Sequence, residues 1–330
     1  MNRQKLKPVI EEPWWMIASA PDFTNILPSK NEIRPYLHEI NDHTVFQDAS
    51  GEWNLWACVR HTPVGRCLVN WRSSSLNASP WKQTGEIIRC DQRAGESLVD
   101  WKGQEFLQSP FVVQHEGIWH LFYGGYDTGF DSDGQPPKEY GDAEKQICLM
   151  TSPDGRNWAR HKDKAGRSRV FHGPGASRDE FVTRINGLWH MYYTGHLERD
   201  IQCEAILCRT SGDLIHWSDW TVVHYADKTC RTHKGCESPV VVQRGGFFYL
   251  FRSGGYVGDG NGSTSVFRSE DPLNFGKDGD PSAWYVCNLP AHAPEIITDA
   301  DGQEYITKID NPAKNYDGLR MARLRWEKEC

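Results

Sequence analysis

No run of 18 apolar residues occurs in this 330-residue chain, and near its start Glu11, Glu12 and Pro13 break the one apolar stretch that follows the basic residues. The first absence excludes a membrane-spanning helix. The second leaves "MNRQKLKPVIEEPWWMIASAPDF" without the apolar core of a secretion leader. A cytoplasmic location and no membrane partner are the resulting expectations. Cationic excess is missing too: 37 Lys and Arg stand against 44 Asp and Glu, a formal net charge of −7. Nucleic-acid surfaces need a cationic face, so nucleic acid is excluded as a partner and neutral ligands are favoured. Ten cysteines, at 58, 67, 90, 148, 203, 208, 230, 236, 287 and 330, lack the spacing of a disulfide framework, and reduced thiols are expected. Capped helical periodicity is nearly absent; clusters of Gly, Pro, Asn and Asp punctuate short β-runs instead.

What the chain does have is aromatic content and repetition. Aromatic residues make up 12%, with 14 Trp, and such faces both pack β cores and cover sugar rings. The segment "ESPVVVQRGGFFYLFRSGGY", from Glu237, reads as polar residue, Ser-Pro, β-run, Gly turn and aromatic strand. "QSPFVVQHEGIWHLFYGGY", from Gln108, and "RDEFVTRINGLWHMYYTGH", from Arg178, repeat that order. Looser copies begin at Asn41 and His292. Aligning the turn glycines Gly51, Gly117, Gly187, Gly246 and Gly302 gives spacings of 66, 70, 59 and 56 residues, the size of four-stranded blades with variable loops. Third strands follow in "CLVNWRSSSLNASPW", "CLMTSPDGRNWARHKD", "AILCRTSGDLIHWSDWTVV" and "SVFRSEDPLNF". The chain therefore reads as all-β, a single five-bladed β-propeller over 1–330 with residues 1–35 as a lead-in.

In a propeller the innermost strands start around one axial mouth, so equivalent residues of successive repeats meet although far apart in sequence. On this register Asp42, Asp179 and Glu237 hold the strand-start position of repeats one, three and four. Three carboxylates around one pocket repel one another, and at least one pKa must rise. Folding gains nothing from that arrangement, whereas glycoside hydrolysis needs one carboxyl as acid and another as base or nucleophile. Glu39 and Asp48 are neighbouring carboxylates that compete with Asp42 for its role. Arg178 beside Asp179 can keep that group ionised or bind a sugar hydroxyl. His43, Gln108 and Glu295 are further polar residues placed to bind substrate.

Asn41-Asp42, Arg178-Asp179 and Glu237-Ser238-Pro239 resemble the catalytic signatures of the five-bladed propeller glycosidases of glycoside hydrolase families 43 and 32. The resemblance implies Asp42 as general base, or as nucleophile in a retaining member, Asp179 as modulator of the acid's pKa and stabiliser of the transition state, and Glu237 as general acid. His43 and Glu180 stand where prolines are usual, and Ser238 where Cys or Gly is commoner. No Trp-Ser-Gly segment occurs in repeat two, which favours terminal arabinosides, xylosides or galactosides over fructosides, with inversion over retention. A retaining family 32-like β-fructosidase and a non-catalytic carbohydrate-binding propeller are the alternatives. A phosphorylase would need a cationic cluster in place of the base.

No cofactor is expected. A structural metal ion on the axis is the one exception that the resemblance admits, with His292 as its candidate ligand. "CRTHKGC" offers Cys230, His233 and Cys236 but no fourth zinc ligand. "DTGFDSDG", from Asp127, lacks the EF-hand spacing and reads as a polar loop. An oligosaccharide or glycoside is the expected partner, and no sequence feature selects an oligomeric state.

Overall fold

The computed structural model describes residues 3–23, 39–96, 105–126, 145–175, 177–197, 204–225, 236–254, 263–277, 281–309 and 318–329. "DTGFDSDG", Cys230 and His233 lie outside them. The described secondary structure is strand apart from short 3-10 turns such as Gln92–Ala94. It forms three four-stranded sheets and one of nine strands.

Each repeat supplies an antiparallel inner hairpin. The pairs are Glu39–Gln47 with Trp53–Thr62, Glu105–His115 with Ile118–Tyr126, Arg178–Ile185 with Leu188–His196, and Glu237–Arg244 with Phe247–Ser253. In the fifth repeat the short strand Ile296–Thr298 pairs with Glu304–Ile309. All five aligned turn glycines take positive φ, between 79° and 85°, which explains why glycine recurs there. In repeats two to four the preceding turn residue, Glu116, Asn186 or Gly245, is also left-handed, the two-residue turn that matches strand twist.

The third strands close with a shared device. Ser152, Ser211 and Ser269 accept the amide of the residue two positions on, Asp154, Asp213 or Asp271, whose carboxylate accepts the amide of Arg156, Ile215 or Leu273. The Ser-x-Asp tripeptide thus builds its own turn.

Repeats one and two share the nine-stranded sheet through a short parallel pairing, Gly65 with Glu105 and Arg66 with Phe106. The N-terminal segment, expected only as a lead-in, forms the strand Leu6–Ala18, which pairs with Leu319–Lys328 and completes the sheet of the fifth repeat. Its alternating apolar residues explain that role; Ile10 packs on one apolar cluster and Ile17 is buried in another. Buried apolar residues lie between neighbouring sheets: Phe111, Phe181, Tyr192 and Phe251 in the largest cluster, Ile17, Leu55 and Met321 in the second, Trp56 and Leu121 in the third. Phe111 and Phe181, ring centroids 5.0 Å apart, join repeats two and three.

Candidate active site

Each of the first four inner strands carries a β-bulge near its start. Asn41–Asp42, Ser109–Pro110, Asp179–Glu180 and Ser238–Pro239 each stand opposite one partner residue, between paired neighbours. Ser109, Asp179 and Ser238 take positive φ, 52°, 62° and 50°, and Ala293 of the fifth repeat takes 46°. Left-handed conformations cost a non-glycine residue roughly 1 to 3 kcal/mol, and here they gather around one opening. The second bulge residues, Asp42, Pro110, Glu180 and Pro239, line it together with Pro294. The cavity takes a contribution from every repeat.

The bulges correct the expected register. Asp42, Asp179 and Glu237 do not hold one equivalent position: Asp42 is a second bulge residue, Asp179 a first, and Glu237 the paired residue that precedes a bulge. The longer turn of repeat one, Asp48 to Glu52 in place of a two-residue turn, offsets the count from the glycine. The extra residue of each bulge re-aims the side chains, so three different positions still converge.

Asp42 and Asp179 share one hydroxyl. Ser109 Oγ lies 3.0 Å from Asp42 Oδ2 and 2.8 Å from Asp179 Oδ1. Asp179 also accepts from Thr194 Oγ1 at 3.1 Å and from the amide of Ser238 at 3.2 Å, and Arg178 Nε stands 3.3 Å away. Burial first, then the charges of Asp179 and Glu237, push Asp42 up to about 7, while the Ser109 hydrogen bond and Arg178 oppose them. The repulsion anticipated for clustered carboxylates falls on this residue. A hydroxyl has one proton to give, so with Ser109 donating to Asp179, a protonated Asp42 fills the second contact.

Glu237 sits beside the cavity, its side chain about one-third exposed. Its Oε2 accepts from Arg178 Nη2 at 3.2 Å, and its Oε1 is 3.5 Å from His292 Nε2. Arg178 also donates to Glu204 Oε1 at 2.8 Å. Although burial disfavours its charge, Asp179, Glu204 and Glu237 hold Arg178 well above the usual guanidinium range. Burial alone would raise Glu204; the hydrogen bond from His196 and the charge of Arg178 hold it at about 2. Lys145 is brought down to about 7 by burial, then by Arg178 and Arg66, against Asp179 and Asp42.

The competing carboxylates of repeat one are engaged elsewhere. Glu39 pairs with Arg60 at 2.9 Å, and Asp48 ties its own turn and accepts from Arg156 at 2.6 Å. His43 lines the cavity with Nε2 2.7 Å from Thr307 Oγ1, and burial lowers it to about 4. Gln108 is buried with Oε1 accepting from Arg66 at 2.9 Å. Glu295 lines the cavity, raised well above the carboxylate range by burial and then by Asp42. Among the described residues no group of three or more His, Cys, Asp or Glu is disposed to hold a metal ion. His292 Nε2 stands 3.5 Å from Glu237 Oε1. Sequence reasoning missed Ser109, Glu180, Lys145 and Glu204. Ser109 and Glu180 left a signal, as the aligned partners of Asp179 and of the repeat's prolines; Lys145 and Glu204 reach the site only through the tertiary fold.

No family model matches the chain. Over 112 residues it is 27% identical to a 1,2-beta-oligomannan phosphorylase of Thermoanaerobacter sp. (strain X514), a match spanning 34% of this chain and only 36% of that protein. Its fold is similar to that of a thermostable family-43 glycoside hydrolase (TM-score 0.59, 15% identity, covering 88% of this chain and 89% of the other). It is also similar to the family GH32 beta-fructofuranosidase BmSUC1 of Bombyx mori (TM-score 0.58, 17% identity, 89% and 63%). The chain shares the all-β fold of these propeller glycosidases.

Proposed function

We propose that this chain is a glycoside hydrolase that cleaves terminal glycosidic bonds, of arabinoside, xyloside or galactoside type, on a single five-bladed propeller. The observation that carries the reading is that Asp42 and Asp179, joined through Ser109, line one opening to which every repeat contributes, with Arg178-bound Glu237 beside it. In the reaction Glu237 gives its proton to the departing glycosidic oxygen as the anomeric C–O bond breaks. Asp42 takes a proton from the water that attacks the opposite face. Asp179 holds Ser109 and, through its charge, keeps Asp42 basic enough to act near neutral pH. The charge of Glu237 is among those that raise Asp42, after burial and Asp179.

A second reading, phosphorolysis, is favoured by Lys145, which feels Arg66 and Arg178 more strongly than the neighbouring carboxylates, and by the phosphorylase relative. The test is a panel of aryl arabinosides, xylosides, galactosides and fructosides, run with and without inorganic phosphate. The first-formed sugar is read by proton NMR. Release of inverted free sugar without phosphate is expected. A retained anomer would make Asp42 a nucleophile, and a sugar phosphate would select the second reading. Binding without turnover of any substrate would leave a carbohydrate-binding propeller.

A further inference from the structure

Glu180 stands where repeats two and four carry Pro110 and Pro239, so this position of the fold has no need of a polar side chain. Yet a carboxyl is there, 4% exposed, lining the cavity, with neither oxygen hydrogen-bonded to another described residue. Gln108 stands beside it, 2% exposed. Its Oε1 accepts from Arg66, which fixes the amide with Nε2 directed away, and Nε2 has no partner. Gly124 lies between the two groups: a Cβ built there would lie 3.7 Å from Glu180 Oε1 and 3.8 Å from Gln108 Nε2.

Two buried polar groups left unmade side by side are costly to a fold, and a fold that tolerates proline at the aligned positions did not require one of them. Burial, then Asp179 and Asp42, push the Glu180 carboxyl well above the usual carboxylate range, against its own backbone amide and the charge of Lys145. A neutral carboxyl presents one O–H donor and one C=O acceptor, and the amide adds N–H donors. Adjacent hydroxyls of a sugar ring, each both donor and acceptor, complement that set, whereas a bare carboxylate would only accept.

Resting on the glycosidase reading above, we propose that Glu180 and Gln108, over the bare face of Gly124, bind two neighbouring hydroxyls of the sugar ring held in the cavity, and that Glu180 is a specificity-determining residue. Its role is recognition, distinct from the proton transfers assigned to Asp42 and Glu237.

The experiment needs no turnover. Arabinose, xylose, galactose and fructose, with monodeoxy analogues of whichever binds, are titrated calorimetrically into the full chain carrying Glu237→Gln. In that background Glu180→Gln, which keeps a neutral donor and acceptor, should bind within about threefold of the parent. Glu180→Leu should lose roughly 10- to 100-fold, and that loss should vanish for the deoxy sugar lacking the contacted hydroxyl. Gly124→Ala supplies a second test, because its methyl stands between the two groups. It should weaken binding of the same sugar. Unchanged affinity in both Glu180→Leu and Gly124→Ala, beside a parent that binds, overturns the proposal alone. A parent that binds none of the sugars overturns the glycosidase reading and this proposal with it.

Discussion

Asp42 and Asp179 are joined through a single oxygen, Ser109 Oγ, 3.0 Å from one carboxylate and 2.8 Å from the other. Two groups with opposite effects on Asp42 therefore meet there: the Asp179 charge raises its pKa and the Ser109 hydrogen bond lowers it. Their removal should shift the pH dependence in opposite directions. With Asp42 as base, kcat/KM rises with pH as Asp42 ionises, with an acidic limb near its value of about 7. Asp179→Asn should move that limb to lower pH and reduce turnover. Ser109→Ala should move it higher. Profiles of both variants on one aryl glycoside check this, and a common direction of shift would remove Asp42 from the role of base.

The raised Asp42 also makes a statement about stability. Because its folded pKa of about 7 exceeds the unfolded value near 3.8, its favourable contribution is complete below about pH 4 and is lost as pH rises through about 7. Above pH 7 the fold carries a buried charge that it would rather not hold. Asp42→Asn should therefore be more stable than the parent at pH 8, by roughly 2 to 4 kcal/mol, with the gap closing toward pH 4. Thermal unfolding of both proteins at the two pH values measures it. A parent that is the more stable at pH 8 would contradict the electrostatic account of the pocket.

Arg178 is the cation that lets three carboxylates coexist. It pairs with Asp179, Glu204 and Glu237 at 3.3, 2.8 and 3.2 Å. Removing one partner of a buried ion network leaves the others uncompensated, which costs about 3 to 5 kcal/mol. Arg178→Met should lower the unfolding free energy by that amount, read as a lower urea midpoint at unchanged slope, and Arg178→Lys, with a single ammonium for three acceptors, should recover only part of the loss. A stability change below about 1 kcal/mol in Arg178→Met would show that the network is solvated.

The repeat made much of this visible from sequence. Gly51, Gly117, Gly187, Gly246 and Gly302 all occupy left-handed turns, because positive φ at a fixed place in a hairpin is a backbone demand that only a few residue types meet. The third strands were legible because the Ser-x-Asp turn is built from local hydrogen bonds. Register at the site was less so. A bulge adds a residue without changing composition, so the positions of Asp42, Asp179 and Glu237 looked equivalent although they are three different ones. Lys145 and Glu204 lie on third strands; Glu204 meets Arg178 across their common sheet and Lys145 approaches it from the neighbouring one, and no local pattern encodes either relation. Glu180 was conspicuous only as a departure, a carboxylate where the motif has proline, and its burial gives that departure a physical meaning.

The central claim is that Glu237 donates the proton to the leaving group while Asp42 activates water, and the leaving-group dependence of Glu237→Gln tests it most directly. Aryl glycosides with leaving-group phenols from strongly to weakly acidic are compared in the parent and in the variant. A good leaving group departs without help, so Glu237→Gln should keep most activity on the most acidic phenol and lose roughly 10²- to 10⁴-fold on the least acidic and on a natural disaccharide. The slope of log kcat/KM against phenol pKa should steepen accordingly. An equal loss across the series, or no loss on the disaccharide, would contradict the assignment of Glu237 as the acid.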